Sequence, residues 1–136
     1  MNAMLRPSTS PARILIVDDQ VDNRELLQII LKWAGFVTQT ANDGEEALRS
    51  VAAEPPDLVL VDMLMPGMDG CQLTASLKQN PDTRHIPVIL VSAMNDGATR
   101  KRALSSGAAA YITKPFVRSE LCQQLSLVLG LELKHE

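Results

Sequence analysis

The chain predicts an α/β fold, a doubly wound sandwich in which a parallel five-stranded sheet is covered on both faces by helices. Three observations carry this. Short apolar, β-branched runs recur five times along 136 residues, and each is followed by a helical pattern; strand and helix in regular alternation imply parallel strands joined by helical crossovers. The runs Ile14-Leu15-Ile16-Val17 and Leu58-Val59-Leu60-Val61 are apolar throughout, as in strands buried on both faces. Right-handed crossovers then wind the helices onto both sides of the sheet. The length suits one domain with a sizeable core.

Taken in order, the first strand spans 13–17 and leads into a helix over 21–34, with Leu26, Ile30 and Trp33/Ala34 marking its apolar face. Gly35 sits where a C-terminal cap glycine belongs. A second strand, 36–40, precedes Asn42-Asp43-Gly44-Glu45-Glu46, where Asp43 and Glu46 have capping-box spacing. Ala47, Leu48, Val51 and Ala52 supply that helix's apolar face, and Pro55-Pro56 ends it. The third strand covers 57–61, and a helix over 70–79 turns Leu73 and Leu77 inward. Strand four, 86–91, follows the turn-like Asn80-Pro81-Asp82. The fourth helix, 96–105, is poor in apolar residues: three consecutive cations leave Ala98, Ala103 and Leu104 to bury. Strand five, 109–113, precedes a last helix over 118–129, with Leu121, Leu125 and Val128/Leu129 on one face and Gly130 as its cap.

Residues 1–11 read as a flexible leader rich in Pro, Ser and Thr, 12–130 as the folded domain, and 131–136 as a short tail. Charged residues make up 21% of the chain and the net charge is -3, which gives no electrostatic footprint for nucleic acid. No apolar stretch reaches the roughly 18–20 residues of a membrane span, and Arg6 is not followed by the apolar segment of a signal peptide. Cys71 and Cys122 lack zinc-ligand spacing and read as reduced thiols of a cytoplasmic protein.

Polar residues just past four of the apolar runs carry the chemistry. Asp18-Asp19 follow strand one, Asp62 strand three, Ser92 strand four and Lys114 strand five. In a parallel sheet these converge on the carboxyl edge, where open α/β sheets bind ligands. The acidic pair taken alone could serve as helix caps. Asp62 is harder to dismiss, because a carboxylate closing an apolar strand needs charge compensation or the sheet edge. Two or three carboxylates plus a carbonyl suit Mg²⁺. A carboxylate can also attack phosphorus, and a metal, a lysine and a hydroxyl can balance the phosphoryl charge. Spacing does not rank the three aspartates, but a central strand puts Asp62 mid-site.

The set Asp18-Asp19, Asp62 with Met65-Pro66-Gly67-Met68-Asp69-Gly70, Ser92-Ala93 and Lys114-Pro115-Phe116 closely resembles the receiver domain of bacterial two-component response regulators. The resemblance covers about 12–129, with every motif in the family's order. It implies a flavodoxin-like sheet in strand order 2-1-3-4-5 and phosphotransfer onto Asp62 from a sensor histidine kinase or a histidine phosphotransfer protein. It also implies Mg²⁺, with Mn²⁺ as a substitute, held by Asp19, Asp62 and the backbone carbonyl of Leu64, with Asp18 acting largely through water. Lys114 would pair with the phosphoryl group, and the Lys114–Pro115 bond would be cis. Ser92 would move toward the phosphoryl group while Tyr111 turns inward behind it, with the fourth helix as the element that shifts.

The implied protein is a signalling switch, catalysing only its own phosphorylation and dephosphorylation. It would act as a stand-alone regulator or as a receiver excised from a hybrid kinase or longer regulator, monomeric or dimerising on phosphorylation. Gln20, Asn23, Arg24 and Leu27 would dock the phosphohistidine partner; Arg100, Leu104, Tyr111, Val117 and Gln124 would form the face read by an unknown downstream protein, with no direct contact to nucleic acid or membrane. Receivers often carry Thr where this chain has Ser92. Leu64 and Met94 flank the approach of a hydrolytic water and cannot orient it, which predicts slow self-dephosphorylation. Two rivals share parts of the pattern. A flavodoxin would need small hydroxyl residues where Asp18-Asp19 stand, and an aspartyl-phosphate phosphatase would show Asp-x-Asp at strand one.

Overall fold

The computed structural model describes residues 11–131; the expected leader up to Ser10 and the tail from Glu132 onward lie outside the described residues. Five strands alternate with five helices: β1 (Arg13–Val17), α1 (Val21–Trp33), β2 (Val37–Ala41), α2 (Gly44–Ala53), β3 (Leu58–Asp62), α3 (Gly70–Gln79), β4 (Val88–Ser92), α4 (Gly97–Ser105), β5 (Ala110–Thr113) and α5 (Arg118–Leu129). All strand pairs are parallel, in the order β2-β1-β3-β4-β5. The expected architecture is therefore observed. Strand boundaries move by one or two residues, and both Asp62 and Ser92 are the last residues of their strands rather than the first beyond them.

Alternation along the strands splits the core in two. Ile14 and Ile16 of β1, Leu58 and Leu60 of β3, and Ile89 and Val91 of β4 pack with Leu27 and Leu31 of α1 and Leu121 and Leu125 of α5. Leu15, Val17, Val59, Val61, Val88 and Leu90 face the other way, against Ala47 and Val51 of α2, Leu73 and Leu77 of α3, and Ala103 of α4. The side chains of β1 and β3 are at most 1% exposed from Ile14 to Val17 and from Leu58 to Val61, which explains their unbroken apolar runs.

Helix α1 corrects the expected face. Leu26 is 56% and Trp33 80% exposed, while Leu27 and Leu31 are buried. The helix carries two apolar stripes about 100° apart; of the one read from the sequence, Ile30 packs partly against the core while Leu26 and Trp33 face solvent. At α2, Asp43 accepts from the Glu46 N–H at 2.8 Å, but the Glu46 carboxylate accepts from the Asn42 N–H at 2.7 Å, so the return half of the capping box lands one residue early. The complete box forms at α3, where Asp69 and Gln72 serve each other's backbone N–H groups. Gly130 closes α5 at φ +72, a conformation that suits glycine. Helix α4 is as weakly anchored as its composition indicated, with Ala103 its buried residue and Leu104 43% exposed.

Candidate functional site

Register brings the charged residues together. Val17 lies opposite Val61, so Asp18 and Asp62 occupy matching positions at the carboxyl edge. Ser92 lies opposite Thr113, which sets Lys114 one step further along the next strand. Asp18, Asp62 and Lys114 also share the parity of Ile16, Leu60 and Ile112, the residues of the α1/α5 side. Three side chains far apart in sequence thus meet through a period of two and a common strand end.

Carboxylate oxygens of Asp18, Asp19 and Asp62 all lie within 4.8 Å of one another. Opposite ligands of an octahedral Mg²⁺ are about 4.2 Å apart, and the ion usually keeps several waters. Three carboxylates within that span could share one such ion directly or through its waters, so the cluster fits Mg²⁺. Lys114 Nζ stands 3.9 Å from Asp62 Oδ1. Burial pushes the Asp62 pKa up from its ordinary value; Lys114 and the Leu64 N–H oppose the shift, and Asp18 and Asp19 add to it. A cation bound among the three carboxylates would relieve that repulsion.

The loops hold these groups by hydrogen bonds. Asp18 is 1% exposed, and its Oδ1 accepts from the Gln20 N–H at 2.9 Å. The Leu64 N–H points to Asp62 Oδ1 at a long 3.4 Å. The Lys114–Pro115 bond is cis, and the Lys114 N–H donates to the Ser92 carbonyl at 2.7 Å. Ser92 is buried, and its Oγ accepts from the Met94 N–H at 3.1 Å. Gly70 allows α3 to begin against the end of β3: a Cβ there would lie 2.8 Å from Met63 Cα and 3.1 Å from the Asp62 carbonyl oxygen.

Tyr111 already points inward. It is 6% exposed, its hydroxyl donates to the Met94 carbonyl, and Arg100 lies over its ring at 5.3 Å. Of the anticipated partner-facing residues, Gln20, Arg100, Leu104 and Val117 are exposed, and Asn23 and Gln124 are half-buried. One needs correction. Leu27 is 8% exposed and belongs to the core, because the buried stripe of α1 passes through it. Arg24 is half-buried like Asn23, and donates to the Asp18 carbonyl at 2.7 Å and to Asn42 Oδ1 at 2.9 Å. A cleft of about 500 Å³ opens beside the carboxylates, with Asp18, Asp62 and Lys114 among its polar lining and Leu26, Ile30 and Phe116 among its apolar walls.

The sequence reading missed the ion pair between Arg102 of α4 and Asp69, the N-cap of α3, at 2.8 Å. Arg102 stood in a run of three cations that looked like a solvated face, and no local signal singles it out.

A flavodoxin-like sheet with an acidic triad and a lysine at its carboxyl edge defines a class of small α/β domains. The model of the response regulator receiver domain matches residues 14–126, and the chain belongs to that family. It is 45% identical over 104 residues to the response regulator PleD of Caulobacter vibrioides, a match covering 76% of this chain and 23% of PleD. It is 38% identical over 117 residues to the phosphate regulon regulatory protein PhoB of Escherichia coli, covering 86% of this chain and 51% of PhoB. The chain thus spans a quarter to a half of these relatives' length. Among solved structures, the receiver domain of a sensor histidine kinase from Pseudomonas aeruginosa, which has a magnesium ion coordinated in its active-site cleft, superposes with a TM-score of 0.82 at 29% identity, covering 89% of this chain and 99% of that one. The family is that of a two-component signalling switch. Among the described residues, no helix is long and apolar enough to cross a membrane.

Proposed function

We propose that this domain accepts a phosphoryl group on Asp62 from a phosphohistidine partner, a sensor histidine kinase or histidine phosphotransfer protein, and relays the change through α4, β5 and α5. The observation that carries the reading is Asp62 set between two further carboxylates within 4.8 Å and a lysine at 3.9 Å. That is a nucleophile with a compensating ammonium on one side and, on the other, a carboxylate pair that together with it makes a seat for a divalent cation. An Asp62 carboxylate oxygen attacks phosphorus as the phosphorus–nitrogen bond breaks, and the electron pair returns to the departing imidazole. Lys114 pairs with the phosphoryl oxygens and offsets the charge that the transferred group brings. Asp18, Asp19, Asp62 and the Leu64 carbonyl hold Mg²⁺, or Mn²⁺ in its place, which supplies Lewis-acid charge stabilisation at the phosphoryl oxygens.

The readout follows from which contacts can change. Ser92 Oγ gives up accepting from the Met94 N–H and turns to donate its hydroxyl proton to a phosphoryl oxygen, which frees the loop that also anchors Tyr111 through the Met94 carbonyl. Helix α4 follows because it buries little beyond Ala103; weakly packed elements are the ones that move. Arg100, Leu104, Val117 and the Tyr111 edge present the change to a downstream protein or to a second copy. Gln20 and Asn23 contact the phosphohistidine partner beside the cleft, and exposed Leu26 takes the role first assigned to Leu27. The domain catalyses its own phosphorylation and dephosphorylation and no other turnover. It works in the cytoplasm, without direct contact to nucleic acid or membrane.

The test is incubation with acetyl phosphate and Mg²⁺ followed by intact mass. One phosphoryl adduct is expected in wild type, dependent on Mg²⁺ and absent in Asp62→Asn. A wild type that takes up neither phosphoryl group nor beryllofluoride would overturn the assignment.

A further inference from the structure

Resting on that functional reading, we propose that Arg24 is a positioning residue for the metal site, fixing the peptide unit that carries both leading aspartates and thereby setting divalent-cation affinity. The sheet ladder ends at this point. The Asp18 N–H makes its last backbone bond, to the Ala41 carbonyl at 3.2 Å, and the chain then leaves the sheet toward α1. A carbonyl there still needs a donor, and the Arg24 guanidinium supplies one at 2.7 Å. The Asp18 carbonyl and the Asp19 N–H belong to one planar peptide. A clamp on that carbonyl therefore sets the direction in which both carboxylates leave the backbone.

The same guanidinium nitrogen, Nη1, donates to Asn42 Oδ1 at 2.9 Å, and the Asn42 N–H is in turn held by the Glu46 carboxylate at 2.7 Å. The Arg24 N–H donates to the Gln20 carbonyl at 3.0 Å in the first turn of α1, which fixes the backbone from which the side chain reaches the loop. A single cation thus ties the loop after β1 to the loop after β2. The acidic pair is supported from outside the site by a group that does not touch the metal position.

Groups that orient metal ligands from outside the coordination sphere typically cost ~10–100-fold in affinity when removed. Arg24 acts on a ligand's backbone rather than on its carboxylate, so the lower end, about tenfold, is expected for Arg24→Ala. Arg24→Lys has a shorter reach and should fall between the two. Asn42→Ala keeps the bond to the Asp18 carbonyl but frees the guanidinium, so its loss is smaller and in the same direction.

The measurement is calorimetric Mg²⁺ titration of wild type, Arg24→Ala, Arg24→Lys and Asn42→Ala, with the cation-free melting temperature of each recorded alongside. A residue with only a structural role would lower the melting temperature and leave the Mg²⁺ dissociation constant of the folded protein unchanged. Graded weakening in the order wild type, lysine, alanine supports the inference. Unchanged Mg²⁺ affinity in folded Arg24→Ala overturns it, and if that variant does not fold, unchanged affinity in both Arg24→Lys and Asn42→Ala does the same. Wild type that binds no Mg²⁺ overturns the functional reading itself, a result distinguishable from either.

Discussion

Replacing Gly70 by alanine tests whether the close approach of α3 to β3 holds the site together. Gly70 is the first residue of α3, and its N–H donates to the Met63 carbonyl at 2.9 Å. An added Cβ would sit 2.7 Å from Leu90 Cδ2, 2.8 Å from Met63 Cα and 3.1 Å from the Asp62 carbonyl oxygen, against about 3.5–4.0 Å for relaxed carbon contacts. Leu90 and Met63 are buried to within 1%, and two of the three clashing atoms are backbone, so α3 must back away from β3. Overpacking of this kind costs about 3 kcal/mol at the upper end of its range. The helix gain of alanine over glycine returns at most about 1 kcal/mol. The net loss of about 2 kcal/mol corresponds to a fall of about 8 °C in melting temperature for a domain of this size.

Two controls calibrate the Gly70→Ala melt. Gly44→Ala would press on the Met68 side chain, with Sδ 2.7 Å and Cβ and Cγ 3.0 Å away; the thioether can swing aside but the Cβ cannot, so an intermediate loss of about 1 kcal/mol is expected. Gly97→Ala meets nothing within 4 Å and should be neutral or slightly stabilising. Thermal and urea melts of the three variants, followed by circular dichroism, decide the matter. The reasoning is refuted if Gly70→Ala melts as high as Gly97→Ala.

Three further outcomes are expected. Because burial holds the Asp62 pKa above its ordinary 3.8, the folded state binds that proton more tightly than the unfolded state. The ionised group then lowers stability at neutral pH, and the deficit fades as pH falls through the raised folded pKa. Asp62→Asn should therefore raise the cation-free melting temperature at pH 7, with the gap to wild type closing toward pH 4; a gap independent of pH would contradict the shift. Leu64 and Met94 are 57% and 45% exposed beside the site, and Leu64→Asn with Met94→Glu should shorten the phosphoryl lifetime, followed by intact mass after removal of acetyl phosphate. Tyr111→Phe removes the donor to the Met94 carbonyl and should cost about 1 kcal/mol in urea unfolding. A cost near zero there would mean that the hydroxyl anchors nothing.

Much of the site was legible because its residues are tied to strand ends, and strand ends are visible as the close of an apolar run. Asp18, Asp19, Asp62, Ser92 and Lys114 each follow or end such a run, and a parallel sheet aligns its carboxyl edge whatever fills the loops. The supporting contacts were not legible in this way. Arg24 read as a docking residue at a helix start, and Arg102 as one cation in a solvated row. Their partners, the Asp18 carbonyl and Asp69, are 6 and 33 residues away, and no local pattern marks a long side chain's destination.

Local chemistry by itself determined the alternation of strand and helix, the apolar strands of the sheet centre and the weakness of α4. Each follows from the spacing of side chains along one segment. The tertiary structure alone decided which apolar stripe of α1 is buried. Leu26, Ile30 and Trp33 form as regular a helical face as Leu27 and Leu31, and periodicity measures only that a face exists. Full burial goes to Leu27 and Leu31, which meet Ile14, Ile16 and Leu60 across the sheet together with Leu121 and Leu125 of α5, while Ile30 packs on that cluster in part and Leu26 and Trp33 stay exposed. That choice depends on the angle at which the loop after β1 delivers the helix, a property of the assembled sheet edge rather than of any residue in α1.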